Sequence, residues 1–233
     1  MTYRQDSDIV HSYGRYIHRN LSYTIRDHQS TDYYLSPTTN QSTYELTGEF
    51  HRRQNRILWI VSNCNARSKR NELARQLNTS FPIDQFGQCS SAKKIDNFEQ
   101  LLLNYKFYLA FENAQCDDYI TEKVFYNSLA HGSIPIVLGA QLSTYQKILP
   151  ARSFIHIEQF ANLSQLALHL EEISHDEKIF QSYHHWRRDY RLITWKSNYF
   201  LDDRFCDLCL KLHENDMQRK SYTNFSRWLN RCI

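Results

Sequence analysis

Apolar runs and helix-forming polar stretches alternate along the middle of the chain. The run "ILWIVSN" (57–63) is almost continuously apolar and ends in polar residues, as a strand buried on both faces of a sheet does. The stretch "RSKRNELARQL" (67–77) contains good helix formers, with Leu73 and Leu77 four residues apart, and predicts a helix. "FPIDQF" (81–86) predicts the next strand.

The same order of elements recurs further along the chain. "KFYLAF" (106–111) predicts a strand, and Thr121 is placed to cap a helix whose first turn carries Glu122. Gly132 suits the left-handed end of that helix, and "IPIVLG" (134–139) predicts the returning strand. Two strand–helix–strand units in succession predict a parallel α/β domain.

The flanking regions have weaker patterns. Residues 1–50 are polar and rich in tyrosine, which predicts short strands and loops. After "WRRDY" (186–190) the chain is expected to be helical and aromatic to its end.

Parallel sheets bind ligands beyond the carboxyl ends of their strands, where helix N-termini present free N–H groups. This rule selects polar residues from each predicted unit. They are Ser62, Asn63 and Arg67 from the first unit, and Glu112, Asn113, Tyr119, Glu122 and Lys123 from the second.

These residue types suit a sugar nucleotide. Arg67 and Lys123 could clamp a diphosphate, Glu122 could accept hydrogen bonds from ribose hydroxyls, and Asn113 and Tyr119 could hold a base or sugar. The alternative is a helix cap with ordinary surface charges. It stays open because the sequence has no glycine-rich phosphate loop.

Charge and hydropathy narrow the class of partner. The chain has 28 Lys and Arg against 25 Asp and Glu, a net charge of +3. This charge is too small to indicate a nucleic-acid-binding surface, although it suits an anionic small ligand. No apolar run approaches the ~18–20 residues of a membrane span, and we see no signal peptide after Met1.

The segment "YKFYLAFENAQCDDYITEKVFYNSLAHGSIPIVLGA" (105–140) resembles the FEN…DYITEK…PVVLG signature of the α1,3-fucosyltransferases, glycosyltransferase family 10. Four further stretches resemble the family in the same order along the chain. They are "TYRQDSDIVHSYG" (2–14), "WIVSNCNARSKRNELARQL" (59–77), "PARSFIHIEQF" (150–160) and "FCDLCLKL" (205–212).

The resemblance implies a GT-B glycosyltransferase, with two Rossmann-like domains facing a cleft and the donor GDP-fucose in the C-terminal one. We therefore expect a Rossmann-like parallel-sheet donor domain and a truncated N-terminal domain. Residues 1–50 would be a remnant of the acceptor domain, 51–185 the GDP-fucose-binding domain, and 186–233 a helical, cysteine-containing extension.

The resemblance also implies roles for individual residues. Arg67 and Lys123 would bind the pyrophosphate and Glu122 the ribose. Further donor contacts would come from Tyr13, Ser62, Asn63, Tyr108, Asn113 and Tyr119. Where many relatives have Tyr-Gly, this chain has Phe86-Gly87, which removes a hydroxyl from the pocket.

The family transfers L-fucose from GDP-β-L-fucose to an N-acetylglucosamine hydroxyl with inversion, without a metal or other cofactor. Its general base is a glutamate in an "ESP" segment that would lie upstream of Met1. We therefore expect no catalytic residue in this chain, and the alternative is a fragment that binds GDP-fucose but transfers poorly. By the same resemblance the full-length protein would be a type II membrane protein of the Golgi lumen, anchored by a segment upstream of Met1.

A luminal location agrees with two sequence features. N-glycosylation sequons occur at Asn20, Asn40, Asn78, Asn162 and Asn224. The six cysteines include Cys64 and Cys89, a pair placed to close the first unit as a disulfide. Cys116 and Cys232 have no assigned role.

Three motifs leave alternatives open. Asp6-Ser-Asp8 imitates a metal-binding Asp-x-Asp motif, but we favour a loop-stabilising carboxylate network. Cys206 and Cys209 with His213 resemble half a zinc site, which would suit a zinc- or disulfide-stabilised interaction domain, whereas in the family these cysteines cross-link to the N-terminal domain. Five aromatic residues could stack on nucleic acid, but we favour packing. They are Tyr183, Trp186, Tyr190, Trp195 and Tyr199.

Overall fold

The computed structural model describes residues 2–19, 48–90, 95–194, 196, 208–213, 221–229 and 231–232. Its central strands are β2 (Gln54–Ile60), β3 (Ile83–Phe86), β4 (Tyr105–Phe111), β5 (Ile134–Leu138) and β6 (Ile155–His156). They form one sheet with the order β3-β2-β4-β5-β6, and all neighbouring strands are parallel. The predicted parallel α/β class is confirmed.

Short helices connect and flank the strands. The α-helices are α1 (Glu49–Arg52), α2 (Arg70–Leu77), α3 (Phe98–Leu103), α4 (Glu122–Phe125), α5 (Leu142–Ile148), α6 (Leu163–His175), α7 (Glu177–Ser182), α8 (208–213) and α9 (Phe225–Leu229). Single turns of 3₁₀-helix lie at Leu129–His131, Ile157–Gln159 and His185–Arg188.

The sheet separates two hydrophobic cores. Phe107, Leu109 and Phe111 of β4 pack with α2, α6 and α7 on one face. Tyr108 and Ala110 point to the other face and pack with α3, α4 and α5. Alternate side chains of one strand thus fill both layers, because β4 is buried along its whole length.

The direction of winding reverses at β2. Helix α2 leads from β2 to β3 across one face, and α3 leads from β3 to β4 on the other side of β2 across the opposite face. The loops that follow β2 and β4 therefore diverge and leave a crevice at the carboxyl edge of the sheet. Open α/β sheets bind their ligands at such a switch point.

An antiparallel ribbon packs beside the sheet. Strand β1 (Gly14–His18) pairs with β7 (Tyr190–Thr194). Gly14 lies so close to α4 that a Cβ there would be 2.5 Å from the ring of Phe125. The expectation of helix from residue 190 onward is wrong for β7, because these residues pair with a strand far away in the chain.

Two predicted helices differ in their bounds. The helix predicted for 67–77 begins at Arg70. The helix predicted for 121–132 consists of α4, a turn and the 3₁₀ turn at Leu129–His131, which ends at Gly132 with φ of 75°. The turn is closed by the Ser128 hydroxyl, which donates to the carbonyl of Ser133 (3.0 Å). The start after Thr121, with Glu122 in the first turn, and the left-handed end at Gly132 are as predicted.

The aromatic residues near residue 190 contribute to packing where the structure describes them. Tyr183 and Trp186 are 8% and 5% exposed. Tyr190 packs edge-on against Tyr16, with 6.5 Å between ring centroids. Trp195 and Tyr199 lie outside the described residues.

Candidate functional site

Two loops bound the crevice at the carboxyl edge of the sheet, residues 61–69 after β2 and residues 112–121 after β4. Ser68 joins them: its N–H donates to the carbonyl of Asn113 (3.2 Å) and its hydroxyl to the carbonyl of Glu112 (2.7 Å). The polar residues that the sequence places at the ends of two separate strands therefore lie at one edge of the sheet.

A buried ion pair lies at the base of the crevice. Lys123 Nζ is 2.8 Å from Glu112 Oε2, and the two residues are 9% and 0% exposed. Thr121 completes the network, because its N–H donates to Glu112 Oε1 (2.8 Å) and its hydroxyl lies 2.9 Å from both carboxylate oxygens. Lys123 also donates to Thr121 Oγ1 (2.8 Å) and lies 3.4 Å from Glu122 Oε1. Thr121 therefore binds Glu112 instead of capping α4 with its hydroxyl as predicted.

Burial and charge act in opposite directions on this pair. Burial raises the pKa of Glu112, although the charge of Lys123 opposes the rise. Burial alone would lower the pKa of Lys123, but the charges of Glu112 and Glu122 outweigh it and the pKa is raised. Lys123 is therefore a fixed positive charge at neutral pH, in a position that little water reaches.

Gly139 makes room for this pair. A Cβ at Gly139 would lie 2.8 Å from Cγ of Glu112 and 3.2 Å from the hydroxyl of Tyr145, closer than side-chain atoms approach without a shift. The glycine that ends the run "IPIVLG" thus allows the Glu112 side chain to lie against the backbone just after β5. Position 139 therefore needs a glycine because a side chain approaches its backbone closely.

The basic loop after β2 contains one exposed and one buried arginine. Arg67 is exposed and makes no hydrogen bond or ion pair within the described residues. Arg70 is 2% exposed and donates to the carbonyls of Phe111 (2.8 Å) and Asn63 (2.9 Å). Burial lowers the pKa of Arg70, and the charge of Glu112 opposes this effect.

Sequence reasoning missed Arg70. The Arg70 side chain connects the carboxyl ends of β2 and β4 and so fixes the width of the crevice. The run "RSKR" contains Arg67, Lys69 and Arg70, and no local pattern indicates which of them is buried.

Tyr13, Tyr119 and Glu122 surround Lys123. Burial raises the pKa of Tyr13, and the nearby charge of Glu122 raises it further while Lys123 opposes the rise. Burial also raises the pKa of Tyr119, followed by the charge of Glu112. These interactions place both phenols near the Glu112–Lys123 ion pair, whereas their contacts with a donor stay a prediction.

The remaining predicted residues differ in accessibility. Ser62 and Asn63 are exposed and Asn113 is half-buried, at the mouth of the crevice. Tyr108 is 1% exposed, and its hydroxyl accepts from Nδ2 of Asn127 (3.0 Å) within the core on the α3–α5 face. Tyr108 therefore presents almost no surface to solvent, and its expected donor contact stays a prediction.

The Phe86-Gly87 pair turns the chain at the end of β3. Gly87 has φ of 96°, and a Cβ there would lie 2.5 Å from the carbonyl oxygen of Val61. Phe86 is buried, 8% exposed. The ring of Phe86 therefore packs in the core, without the hydroxyl that a tyrosine at this position would carry.

The N-terminal segment packs against the C-terminal helix α9. Arg4 is 4% exposed, forms two hydrogen bonds with Asp6 (2.8 and 2.9 Å), and lies over the ring of Trp228. Trp228 Nε1 donates to Asp6 (3.1 Å), and Tyr222 donates to Asp8 (2.8 Å). Asp6 and Asp8 thus form the favoured loop-stabilising network. Within the described ranges, no group of three or more His, Cys, Asp or Glu residues is arranged to bind a metal ion.

A disulfide joins this N- and C-terminal cluster to the crevice. Cys116 pairs with Cys232, and the N–H of Asp117 donates to the carbonyl of Arg231 (2.9 Å). The ring of Tyr3 packs on Tyr119, with 5.2 Å between ring centroids. Sequence reasoning assigned no role to either cysteine, because the two lie 116 residues apart.

The other cysteines agree in part with expectation. The predicted Cys64–Cys89 disulfide is present. Cys209 is exposed and free, and its carbonyl lies 2.7 Å from Nδ1 of His213. Cys206 lies outside the described residues.

Known proteins resemble this chain in sequence and in fold. The family described as "Glycosyltransferase family 10 (fucosyltransferase) C-term" matches residues 50–228. Alpha-(1,3)-fucosyltransferase 4 of Bos taurus is 33% identical over 98% of this chain and 53% of its own length. Glycoprotein 3-alpha-L-fucosyltransferase A of Drosophila melanogaster is 33% identical over 97% of this chain and 42% of its own.

Solved structures show the same fold. An alpha1,3-fucosyltransferase crystallised with GDP-fucose superposes with a TM-score of 0.57 at 21% identity, covering 74% of this chain and 51% of that one. One with GDP has a TM-score of 0.57 at 23% identity, covering 72% and 49%.

The chain spans about half the length of the curated relatives it matches. Among the described residues, no helix is long and apolar enough to cross a membrane. The family match covers more than half of the chain, and its residues include both loops of the crevice. The chain belongs to glycosyltransferase family 10, the fucosyltransferases.

Proposed function

We propose that this chain is the GDP-fucose-binding part of an α1,3-fucosyltransferase. The protein transfers L-fucose from GDP-β-L-fucose to an N-acetylglucosamine hydroxyl of a glycoprotein or glycolipid glycan, with inversion and without a metal. The observation that carries the proposal is the buried Glu112–Lys123 pair after β4, together with the exposed Arg67 in the loop after the neighbouring strand β2, at the switch point of a family 10 domain.

The geometry suits a diphosphate between the two loops. Lys123 is a positive charge held by Glu112, and Arg67 is an exposed guanidinium on the opposite loop. Cleavage of the fucose–phosphate bond transfers negative charge to GDP while the sugar becomes oxocarbenium-like. Cations that are already in position stabilise this charge without reorganising.

The other crevice residues provide polar contacts. Glu122 accepts from the ribose hydroxyls, and Tyr13, Ser62, Asn63, Asn113 and Tyr119 line the guanosine and fucose pocket. Tyr108 supports the pocket from the core side of the sheet, because its hydroxyl binds Asn127 within the core.

We place the general base outside this chain. At the crevice, the carboxylate of Glu112 is occupied by Lys123 and Thr121, and we assign Glu122 to the ribose. Glu49 lies before β2, at the opposite edge of the sheet, and binds Arg52 and Arg53. Residues 1–50 then belong to the acceptor domain, 51–185 to the donor domain and 186–233 to the C-terminal extension. The full-length protein is a type II membrane protein of the Golgi lumen.

A titration of the chain with GDP tests donor binding. Loss of a charge-assisted hydrogen bond costs about 1.5–3 kcal/mol, so Arg67→Gln should weaken GDP binding by about 10- to 150-fold. Lys123→Met should weaken it at least as much. Arg75→Gln, which removes an exposed arginine of α2, is the matched control and should leave GDP affinity unchanged. Unchanged affinity in both crevice variants would refute the proposal.

An acceptor assay distinguishes an active fucosyltransferase from a fragment that binds GDP-fucose but does not transfer it. GDP-fucose and N-acetyllactosamine are incubated with the chain alone and in the presence of EDTA. GDP binding without transfer supports a donor-binding fragment that lacks the base, whereas transfer that persists in EDTA supports a complete, metal-independent enzyme.

A further inference from the structure

Two sequon asparagines cap helices in the same way. Oδ1 of Asn162 accepts from the N–H of Gln165 (3.0 Å) at the start of α6, and Oδ1 of Asn224 accepts from the N–H of Arg227 (3.0 Å) at the start of α9. Both asparagines are exposed. In each, Nδ2 makes no hydrogen bond with the part of the chain that the structure describes.

In Asn78, too, among the described residues, Oδ1 is hydrogen-bonded and Nδ2 is not, although this residue lies at the C-terminal end of a helix. It follows α2, and its Oδ1 accepts from the N–H of Ile83 (2.7 Å). It is exposed, and its Nδ2 is likewise without a partner in the described ranges. Asn78 also borders an open cavity of about 270 Å³ lined by Trp59, Arg75 and the Cys64–Cys89 disulfide.

N-glycosylation changes only the atom that these residues leave free. In the reaction a bond forms between the anomeric carbon of the sugar and Nδ2, the bond from that carbon to a lipid-linked diphosphate breaks, and Nδ2 loses one proton. Oδ1 keeps its lone pairs. The hydrogen bond that each asparagine makes in the folded protein therefore survives the modification.

Other asparagines in the fold are different. Nδ2 of Asn127 donates to the hydroxyl of Tyr108, and Nδ2 of Asn71 donates to the carbonyl of Cys64. Asn97 caps α3 through Oδ1 just as Asn162 caps α6, but Phe98 and Glu99 follow it, so it lies outside any sequon.

We propose that Asn78, Asn162 and Asn224 carry N-linked glycans. The proposal rests on the proposed function only through the luminal location of the protein. The three serines that complete the sequons are exposed, as the asparagines are, so the glycans extend into solvent. Asn20 and Asn40 lie outside the described residues and are not included.

The chain 1–233 is expressed in insect cells behind a cleavable secretory signal, and glycopeptides of the secreted monomer and of the cell lysate are mapped. Asn78, Asn162 and Asn224 should each carry a glycan, and Asn97 should carry none. Ser80→Ala, Ser164→Ala and Ser226→Ala should each remove one glycan without touching the asparagine. Ser164→Thr, which preserves the sequon, should retain its glycan.

A site found unmodified in both lysate and secreted monomer overturns the assignment for that site. The midpoint of thermal unfolding, measured before and after enzymatic removal of the glycans, should be the same, because the Oδ1 bonds remain in both forms. A glycan found in the lysate but absent from the folded monomer would also contradict the proposal. GDP titration of the deglycosylated monomer reports on the proposed function separately.

Discussion

Lys123 Nζ lies 2.8 Å from Glu112 Oε2, and the carboxylate is completely buried. Glu112 directly follows β4, whereas Lys123 lies in α4, so the ion pair connects the end of the strand to the helix that comes next in the chain. Lys123, which we propose binds the diphosphate, is thus positioned by the carboxylate of Glu112, which has no access to solvent.

Glu112→Gln should destabilise the fold. An amide has one acceptor oxygen for the donors of Thr121 and Lys123, and it leaves the buried ammonium of Lys123 with only the more distant carboxylate of Glu122 as a counter-charge. Removal of one partner from a buried pair typically costs about 3–5 kcal/mol. Urea unfolding measures this loss.

The matched control for that change is Glu72→Gln. Glu72 pairs with Arg75 on the exposed surface of α2, where solvent screens the interaction. This variant should unfold at the same urea concentration as the wild-type chain. If the two glutamine variants were equally stable, the buried pair would have no structural role.

Gly139→Ala should affect stability and ligand binding together. The new methyl group meets Cγ of Glu112 at 2.8 Å and must displace the ion pair, and overpacking of this kind costs about 1–3 kcal/mol. GDP affinity should fall because Lys123 moves with Glu112. Gly48→Ala is the comparison: no atom of the described residues would lie within 4 Å of its Cβ, so the change introduces only the backbone strain of φ of 82° and should leave GDP affinity unchanged.

Much of this architecture is visible in local sequence patterns. The apolar runs at 57–63, 81–86, 106–111 and 134–139 overlap β2, β3, β4 and β5, whereas the two-residue strand β6 lies outside them. The runs of β4 and β5 are the clearest, because strands buried on both faces are apolar throughout. Their polar carboxyl ends then locate the crevice by the rule for parallel sheets.

Because β4 is apolar on both faces, its sequence does not indicate the face of the sheet to which each side chain points. A strand that is apolar on both faces has no alternation, so nothing in "KFYLAF" shows that Tyr108 points into the core. The burial of Arg70, the β1–β7 pairing and the Cys116–Cys232 disulfide depend on residues far apart in sequence. Local pattern carries no information about such contacts.

Acid should destabilise the protein through its buried histidines. Burial lowers the pKa values of His131 and His156, and burial with the charges of Arg187 and Arg53 lowers that of His184 well below its ordinary value of about 6.5. The unfolded chain binds these protons first as pH falls below about 6.5, so the free energy of unfolding decreases. Each histidine contributes up to about 1.4 kcal/mol per pH unit until its folded-state pKa is reached.

His184→Leu tests this directly. His184 is 2% exposed, and neither ring nitrogen has a hydrogen-bond partner in the described chain, so an apolar residue of similar size suits the site. The variant should lose less stability than the wild type between pH 7.5 and pH 5.5, a range set about the ordinary histidine pKa of about 6.5. Equal losses in urea unfolding at the two pH values would contradict the assignment.

The Cys116–Cys232 disulfide should stabilise both the fold and the crevice. It closes a loop with a sequence separation of 116 residues, and disulfides of this kind contribute about 2–4 kcal/mol. It also fixes the loop that carries Tyr119, because Cys116 and Asp117 are bound to the C-terminal segment. Cys232→Ser should therefore lower the free energy of unfolding and weaken GDP binding, whereas Cys209→Ser, which removes an exposed free thiol, should change neither. If Cys232→Ser unfolded earlier but bound GDP with wild-type affinity, the disulfide would stabilise the chain ends without positioning the loop.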